Sequence, residues 1–94
     1  HDDFGSMALT ADGLIDEPAF RKTCASISGE IIRGKGIVHF ANGLHVWQQC
    51  GRLVDIDAVA DSSDNSSRIV LIGTGQLDAA ESVFGRLGFS RLTA

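Results

Sequence analysis

Three side chains that could bind a metal ion lie close together in the sequence: His39, His45 and Cys50. Imidazole and thiolate groups are ligands for zinc and related metals, so the spacing suggests a metal carrier. However, Asn42-Gly43 predicts a two-residue hairpin turn, which places the two histidines on opposite faces of one ribbon. Cys50 then shares a face with His39 but lies too far along its strand to bind the same ion. We predict no metal site unless a bulge changes this register.

Other residue patterns exclude several enzyme classes. Four aspartates within residues 55–64 could suggest calcium, but the glycine and glutamate that an EF-hand loop requires are missing. Gly73-Thr74-Gly75 resembles the opening of a dinucleotide-binding loop, yet Asp78 occupies the third glycine position and would repel a phosphate. The chain contains no P-loop, HExxH motif or nucleophile elbow. We therefore predict a chain without catalytic or cofactor-binding residues.

The segment Arg33-Gly34-Lys35-Gly36 combines two cations with two glycines. In an extended strand Arg33 and Lys35 point to the same face, and glycine within a strand indicates a bulge or a close backbone approach. The pair could contact an anion or an acidic partner surface. The simpler interpretation is a solvated end of a twisted strand.

Length and composition limit the function further. Ninety-four residues, of which 44% are hydrophobic and 21% charged, correspond to one small globular domain. The formal net charge of −4 argues against nucleic-acid binding, and no apolar run is long enough to span a membrane. Two cysteines and no signal peptide indicate a reducing compartment, so we expect a cytoplasmic protein. Because the chain begins at His1 and its only methionine is Met7, we expect it to be part of a longer protein.

Hydrophobic periodicity predicts the elements that position these residues. Asp16 is a predicted helix N-cap and Gly29 the residue that ends the same helix. Asp78 and Glu81 have the spacing of a capping box, with Leu77 as a hydrophobic staple. The predicted order is strand 4–11, helix 16–28, strand 30–41, strand 44–50, strand 52–58, a flexible loop 61–67, strand 68–73, a helix that ends at Gly88, and a short tail 89–94.

This order predicts an α+β fold, with a mainly antiparallel sheet of four to five strands and two helices packed on one face. The hairpin of residues 37–50 is apolar on both sides, whereas two short helices can cover only one face of a sheet. We therefore expect the uncovered face to be an interface, with Arg33 and Lys35 near it.

The motifs together resemble a known domain. Arg33-Gly34-Lys35-Gly36, which runs into an apolar hairpin, is similar to the "R-x-K-G" strand of the C-terminal domain of the CobW family of P-loop GTPases. Residues 68–73, followed by Leu77-Asp78, look like the ending of that domain, "R-x-V-x-I-G…L-D". Residues 1–6 are similar to the junction after its His-rich linker. The positions that match family motifs are Arg33, Lys35, Gly36 and Gly73.

The resemblance implies a role in metal delivery. CobW-family proteins are GTP-dependent metallochaperones or metal-insertion proteins, linked to cobalt for cobalamin or to zinc. GTP with magnesium, and zinc or cobalt, would bind in an N-terminal GTPase domain that lies outside this chain. The chain would be the accessory domain, and its partners would be that GTPase domain, a metal-receiving client protein or a second copy of itself in a homo-oligomer.

Two other functions remain open at the level of the sequence. The chain could be a free-standing small-ligand sensor or dimerisation module of the α+β type. It could also be a metal carrier that uses His39, His45 and Cys50. Neighbouring sequence with a GTPase domain would decide against the first alternative, and a zinc or cobalt titration would test the second.

Overall fold

The computed structural model describes residues 4–29, 31–59, 65–74 and 77–92. Within these residues the chain forms one sheet of six strands and two helices, so the predicted four to five strands are too few. The predicted loop 61–67 lies partly outside the described residues, and its last residue, Ser67, begins a strand. The elements are β1 (Phe4–Ala11), α1 (Glu17–Ser26), β2 (Ile31–Phe40), β3 (Gly43–Cys50), β4 (Leu53–Ala58), β5 (Ser67–Thr74), α2 (Asp78–Gly85) and β6 (Ser90–Arg91).

The strands are arranged in the order β4-β3-β2-β5-β1-β6, and every neighbouring pair is antiparallel. Strands β2, β3 and β4 follow one another as a meander. Strand β5 then returns between β2 and β1, so β1 and β2 are parallel to each other with one strand between them. The connection through α1 is therefore a split β-α-β crossover, and α2 connects β5 to β6 around β1 in the same way.

The β2–β3 hairpin is confirmed, but its turn differs from the prediction. Phe40 pairs with Gly43, so the turn consists of Ala41 and Asn42 rather than Asn42 and Gly43. A type I′ turn requires a positive φ at both central residues. Ala41 and Asn42 have none, and only Gly43, with a φ of 121°, has a positive value in this hairpin turn, so the turn is not of the predicted type I′. Each cross-strand partner differs by two positions from the predicted one. Because side chains alternate with a period of two, every residue keeps its predicted face.

Helix α1 begins as its sequence indicates. The Asp16 carboxylate accepts a hydrogen bond from the Ala19 backbone N–H at 3.0 Å, which satisfies one of the free donors of the first turn. Pro18 lies in the same turn, where its missing N–H has no cost. The helix ends at Ser26, two residues earlier than predicted, and Ile27 is its C-cap.

Helix α2 and the residues that follow it differ from three predictions. Leu77, not Asp78, occupies the N-cap position and no side chain caps the helix, so the predicted capping box does not form. Glu81 instead forms an ion pair with Arg91, with Oε1 of Glu81 2.9 Å from Nη2 of Arg91. The helix ends at Gly85, and a turn leads to Gly88, whose φ is 110°. The predicted tail contains strand β6, which pairs with β1.

The core lies between the helices and one face of the sheet, which we call the inner face. Phe20 of α1 makes edge contacts with Phe40 and Trp47, with ring centroids 5.6 and 5.4 Å apart. Phe84 of α2 contacts the same indole at 6.1 Å. Both helices therefore cover the inner face, as predicted. Gln49, also on this face, donates from Nε2 to the Cys24 carbonyl at 3.0 Å and so links β3 to α1. No helix within the described residues is long and apolar enough to cross a membrane.

Candidate functional site

The candidate site is the outer face of the sheet, the side opposite both helices. Three rows of side chains cross β1, β5, β2, β3 and β4 on this face. Row 1 is Ser6, Ile72, Arg33, Cys50 and Leu53. Row 2 is Ala8, Val70, Lys35, Gln48 and Asp55. Row 3 is Thr10, Arg68, Ile37, Val46 and Asp57.

Three exposed cations occupy the centre of the outer face. Arg33 and Lys35 project from β2 on the same side, as predicted from their spacing. Arg68 joins them from the neighbouring strand β5, where it pairs with Ile37. The sequence did not predict the position of Arg68, because only the pairing of β5 with β2 places it beside the other two cations.

Two carboxylates lie at one edge of the same face. Asp55 and Asp57 are exposed on β4 and are separated from the cations of β2 by the uncharged strand β3. Within the described residues the ion pairs are Arg21 with Glu17 and Arg91 with Glu81, so the charges of the outer face form no ion pair with another described residue. The outer face therefore carries a positive stripe beside a negative stripe, each available to a partner.

Apolar side chains lie among these charges. Ile37 is 42% exposed, Ile72 is 36% exposed and Leu53 is 75% exposed. Two shallow depressions adjoin Lys35, Gln48 and Val70, which line both of them. The predicted uncovered face is thus neither uniformly apolar nor uniformly polar. Exposed aliphatic and charged side chains therefore share a face that neither helix covers.

The motif glycines have structural roles. A Cβ on Gly34 would overlap the Trp47 indole, and a Cβ on Gly36 would overlap the Arg68 carbonyl oxygen and lie 2.6 Å from the Ile69 Cα. Both therefore permit close packing, as the sequence suggested for glycine within a strand. A register shift between Ile31 and Arg33 marks the bulge in this region. Gly73 is buried in β5, opposite Gly5 of β1.

The structure does not bring the three metal-binding candidates together. His39 points to the outer face and His45 to the inner face, as predicted. His45 is buried, contacts the Phe40 ring in a tilted arrangement with centroids 5.1 Å apart, and has its Nδ1 2.9 Å from the Gly43 carbonyl oxygen. Cys50 shares the face of His39 but is the last residue of β3, whereas His39 pairs with Leu44 near the beginning of that strand. Among the described residues no group of three His, Cys, Asp or Glu side chains could hold a metal ion.

The two thiols differ in accessibility. Cys24 is fully buried between α1 and the sheet, and this burial raises the pKa of its thiol from 9.0 to about 12. Arg21 and Trp47 lower the same pKa by smaller amounts. A thiol with this pKa is protonated and unreactive near neutral pH. Cys50 is exposed on the outer face, and the two cysteines are not joined in a disulfide.

The glycine pair that resembled a phosphate loop is only partly described. Gly73 and Thr74 are the last residues of β5, whereas Gly75 lies outside the described residues. The carboxylate of Asp78 is on the first residue of α2 and is exposed. A carboxylate at that position opposes phosphate binding, in agreement with the sequence argument.

Comparison with known proteins identifies the domain. Residues 4–83 match the family described as the cobalamin synthesis protein cobW C-terminal domain. The chain belongs to this CobW C-terminal domain family. The match covers the motif positions Arg33, Lys35, Gly36 and Gly73 and so confirms the family resemblance. The comparison with curated protein sequences gives no match.

Solved structures share the CobW C-terminal fold. The crystal structure of Zn(II)-bound YjiA GTPase from E. coli superposes with a TM-score of 0.74 over 90% of this chain, at 19% sequence identity. A Zn(II)-bound triple mutant of YjiA GTPase gives 0.74 over 92% of this chain, at 18% identity. The chain spans 30% of the length of each YjiA chain. At this identity the likeness shows the fold alone.

Proposed function

We propose that the chain is a non-catalytic accessory domain of a GTP-dependent metallochaperone or metal-insertion protein, and that its outer face binds a protein partner. The family match over residues 4–83 carries this proposal. The structural relatives are GTPases of which this domain corresponds to 30%, which leaves room in such proteins for a separate GTP-binding domain. The Zn(II) bound in those relatives supports zinc as the cargo, with cobalt as the alternative.

The chemistry of the proposed parent protein lies outside this chain. GTP with magnesium and the delivered metal would bind in the GTPase domain, because this sequence has no phosphate-binding loop and the described residues hold no cluster of metal ligands. The partners we propose are that GTPase domain and the client protein that receives the metal. The two free thiols support a location in the reducing cytoplasm.

The outer face fits this role better than a small-ligand pocket would. Its depressions are open and lie on a sheet surface, whereas small-molecule sites are concave and enclose most of their ligand. The exposed charges Lys35 and Asp55 have no ion-pair partner in the described chain and so are available to another protein. The metal-carrier alternative has no support, because His39 and His45 lie on opposite faces.

Binding measurements test the proposal directly. We expect calorimetry to detect no binding of GTP, zinc or cobalt to this chain at micromolar concentrations. We expect the chain to bind the GTPase domain of its parent protein, and Lys35→Asp to weaken that binding at least about tenfold. Lys22→Asp, which makes the same charge change on the exposed side of α1, is the matched control. Micromolar GTP binding by the chain, or equal loss in both variants, would contradict the proposal.

A further inference from the structure

We infer that the outer face binds a second copy of the same chain in a two-fold, face-to-face dimer, with the symmetry axis along β3. The inference rests on the proposed function, since it names one partner for the proposed interaction surface. The charges of the face are the observation that carries it. Lys35 and Asp55 occupy row 2 on either side of Gln48, one strand away in each direction.

A two-fold axis along β3 exchanges the positions of β2 and β4. It therefore places Lys35 of each copy over Asp55 of the other, which forms two equivalent ion pairs. Packed sheets lie about 10 Å apart with strands inclined by about 30°, a gap that a lysine and an aspartate side chain together can span. Neither residue has an ion-pair partner within its own described chain that would compete.

Axes along the other central strands bring like charges together. An axis along β2 places Lys35 over its own copy, and an axis along β4 does the same for Asp55. An axis along β5 places Arg68 over its own copy. Like charges facing each other oppose association. Of these four strands, β3 is the one whose outer side chains are uncharged, and it is the one flanked by charges of opposite sign.

The neighbouring rows are compatible with the same axis. In row 1, Leu53 of one copy faces the aliphatic stem of Arg33 and the adjacent Ile72 of the other, and so loses its exposure to water. In row 3, Asp57 faces Ile37 and can reach Arg68 in the next strand. Row 2 thus supplies the two ion pairs, row 1 covers Leu53 and row 3 brings Asp57 within reach of Arg68, whereas Arg33 faces no carboxylate in its own row.

The size of the face sets the strength of this dimer. Because β4 is the edge of the sheet, an axis along β3 overlays only β4, β3 and β2 of the two copies. Three rows across three strands cover roughly 20 by 14 Å, given strand spacings of about 4.8 Å. A contact of that size is smaller than a standard specific interface, so we expect a weak, reversible dimer with a dissociation constant of roughly 100 μM or more.

Charge reversal across the axis is the decisive experiment. We expect sedimentation velocity to show a concentration-dependent dimer for the wild-type chain. Lys35→Asp and Asp55→Lys should each raise the dissociation constant at least about tenfold, because each places like charges opposite one another twice. An equimolar mixture of the two variants should form a heterodimer, and the double variant should regain the wild-type dissociation constant.

Matched substitutions away from the outer face control for net charge. Lys22→Asp and Asp12→Lys change the same charges at exposed positions of α1 and of the loop before it, so both variants should dimerise like the wild-type chain. A wild-type chain that stays monomeric at all concentrations would overturn the inference. So would a dimer that tolerates either reversal, or a mixture of the two variants that remains monomeric.

Cross-linking at Cys50 locates the axis independently. Cys50 lies on β3, so its copies face each other near the axis, but sheets about 10 Å apart are too distant for a direct disulfide. A short bismaleimide should therefore link two wild-type chains, and Cys50→Ser should abolish the product. The buried Cys24 cannot substitute for it. Absence of cross-linking in a sample that sediments as a dimer would contradict the placement of the axis.

The same variants separate this inference from the proposed function. If the chain is monomeric and Lys35→Asp still weakens binding to the GTPase domain, the second copy is the wrong partner and the interaction surface stands. If the dimer forms but no variant affects binding to the GTPase domain, self-association stands and the proposed docking role fails.

Discussion

At the scale of single residues, the two glycines of the Arg33–Gly36 segment show how a motif position can serve packing rather than chemistry. Gly34 leaves space for an indole ring, whereas Gly36 leaves space for the backbone of β5. The flanking cations have no comparable structural role, because both are exposed on the outer face. The segment therefore alternates between glycines that allow close packing in the sheet and cations that are exposed on the outer face.

Gly36→Ala should destabilise the domain strongly. The added Cβ would overlap a backbone carbonyl oxygen, which cannot move aside as a flexible side chain could. We expect a loss of about 2–3 kcal/mol or more in the free energy of unfolding, measured by urea denaturation. Gly85→Ala is the control: nothing lies within 4 Å of its added Cβ, so a neutral or slightly stabilising effect is expected. Equal stability of the two variants would refute the close approach of β5.

The chemistry-bearing residues were only partly predictable from the sequence. The opposite faces of His39 and His45 follow from the side-chain period of two, which survived an error of two positions in the pairing. The position of Arg68 beside Arg33 and Lys35 was not predictable, because it depends on a pairing between strands more than thirty residues apart in sequence. Local patterns fix which face a residue takes but not which distant strand lies next to it.

At the scale of elements, the last residues of the chain contribute more to the fold than their sequence suggested. The family match ends at residue 83, yet Phe84 and Phe89 are both buried, with ring centroids 5.9 Å apart. Strand β6 is only two residues long, too short for a recognisable alternating pattern. Its position depends instead on pairing with β1 and on the Arg91–Glu81 ion pair.

Phe89→Ala tests whether these residues complete the core. The ring is 4% exposed and lies 6.4 Å from the ring of Phe20, so its loss leaves a cavity beside α1. We expect unfolding to become easier by about 3–5 kcal/mol in a chemical denaturation experiment. Leu92→Ala, at a residue that is 41% exposed, should cost much less. Similar costs for the two substitutions would mean that the end of the chain does not belong to the core.

The helix termini show a second limit of local sequence patterns. Asp16 was correctly predicted as an N-cap, because Pro18 independently fixes the start of α1. Asp78 and Glu81 had the spacing of a capping box, but tertiary contacts placed Leu77 at the N-cap and used Glu81 to pair with β6. A pattern that two independent signals support was reliable here, whereas a single spacing was not.

At the scale of the whole molecule, the two faces of the sheet differ in composition: one is packed against the helices and the other is exposed. The inner face holds the aromatic core in which Trp47 contacts both helices. The outer face holds the exposed charges and contributes no ion pair to the described chain. Because of this separation, substitutions at exposed positions of the outer face should have little effect on the stability of the fold.

The separation of the two faces predicts a specific unfolding behaviour. Trp47 is the only tryptophan and lies where both helices meet the sheet, so its fluorescence should report the same transition as circular dichroism of the backbone. At protein concentrations low enough to keep the chain monomeric, Lys35→Asp should leave the free energy of unfolding obtained from both curves within about 0.5 kcal/mol of the wild-type value. The reason is that the Lys35 side chain is exposed and has no ion-pair partner among the described residues. Transitions that fail to coincide would show that one helix detaches from the sheet before the rest unfolds. A large shift in the variant would show that the outer face stabilises the fold, and its charges could then no longer be assigned to a partner alone.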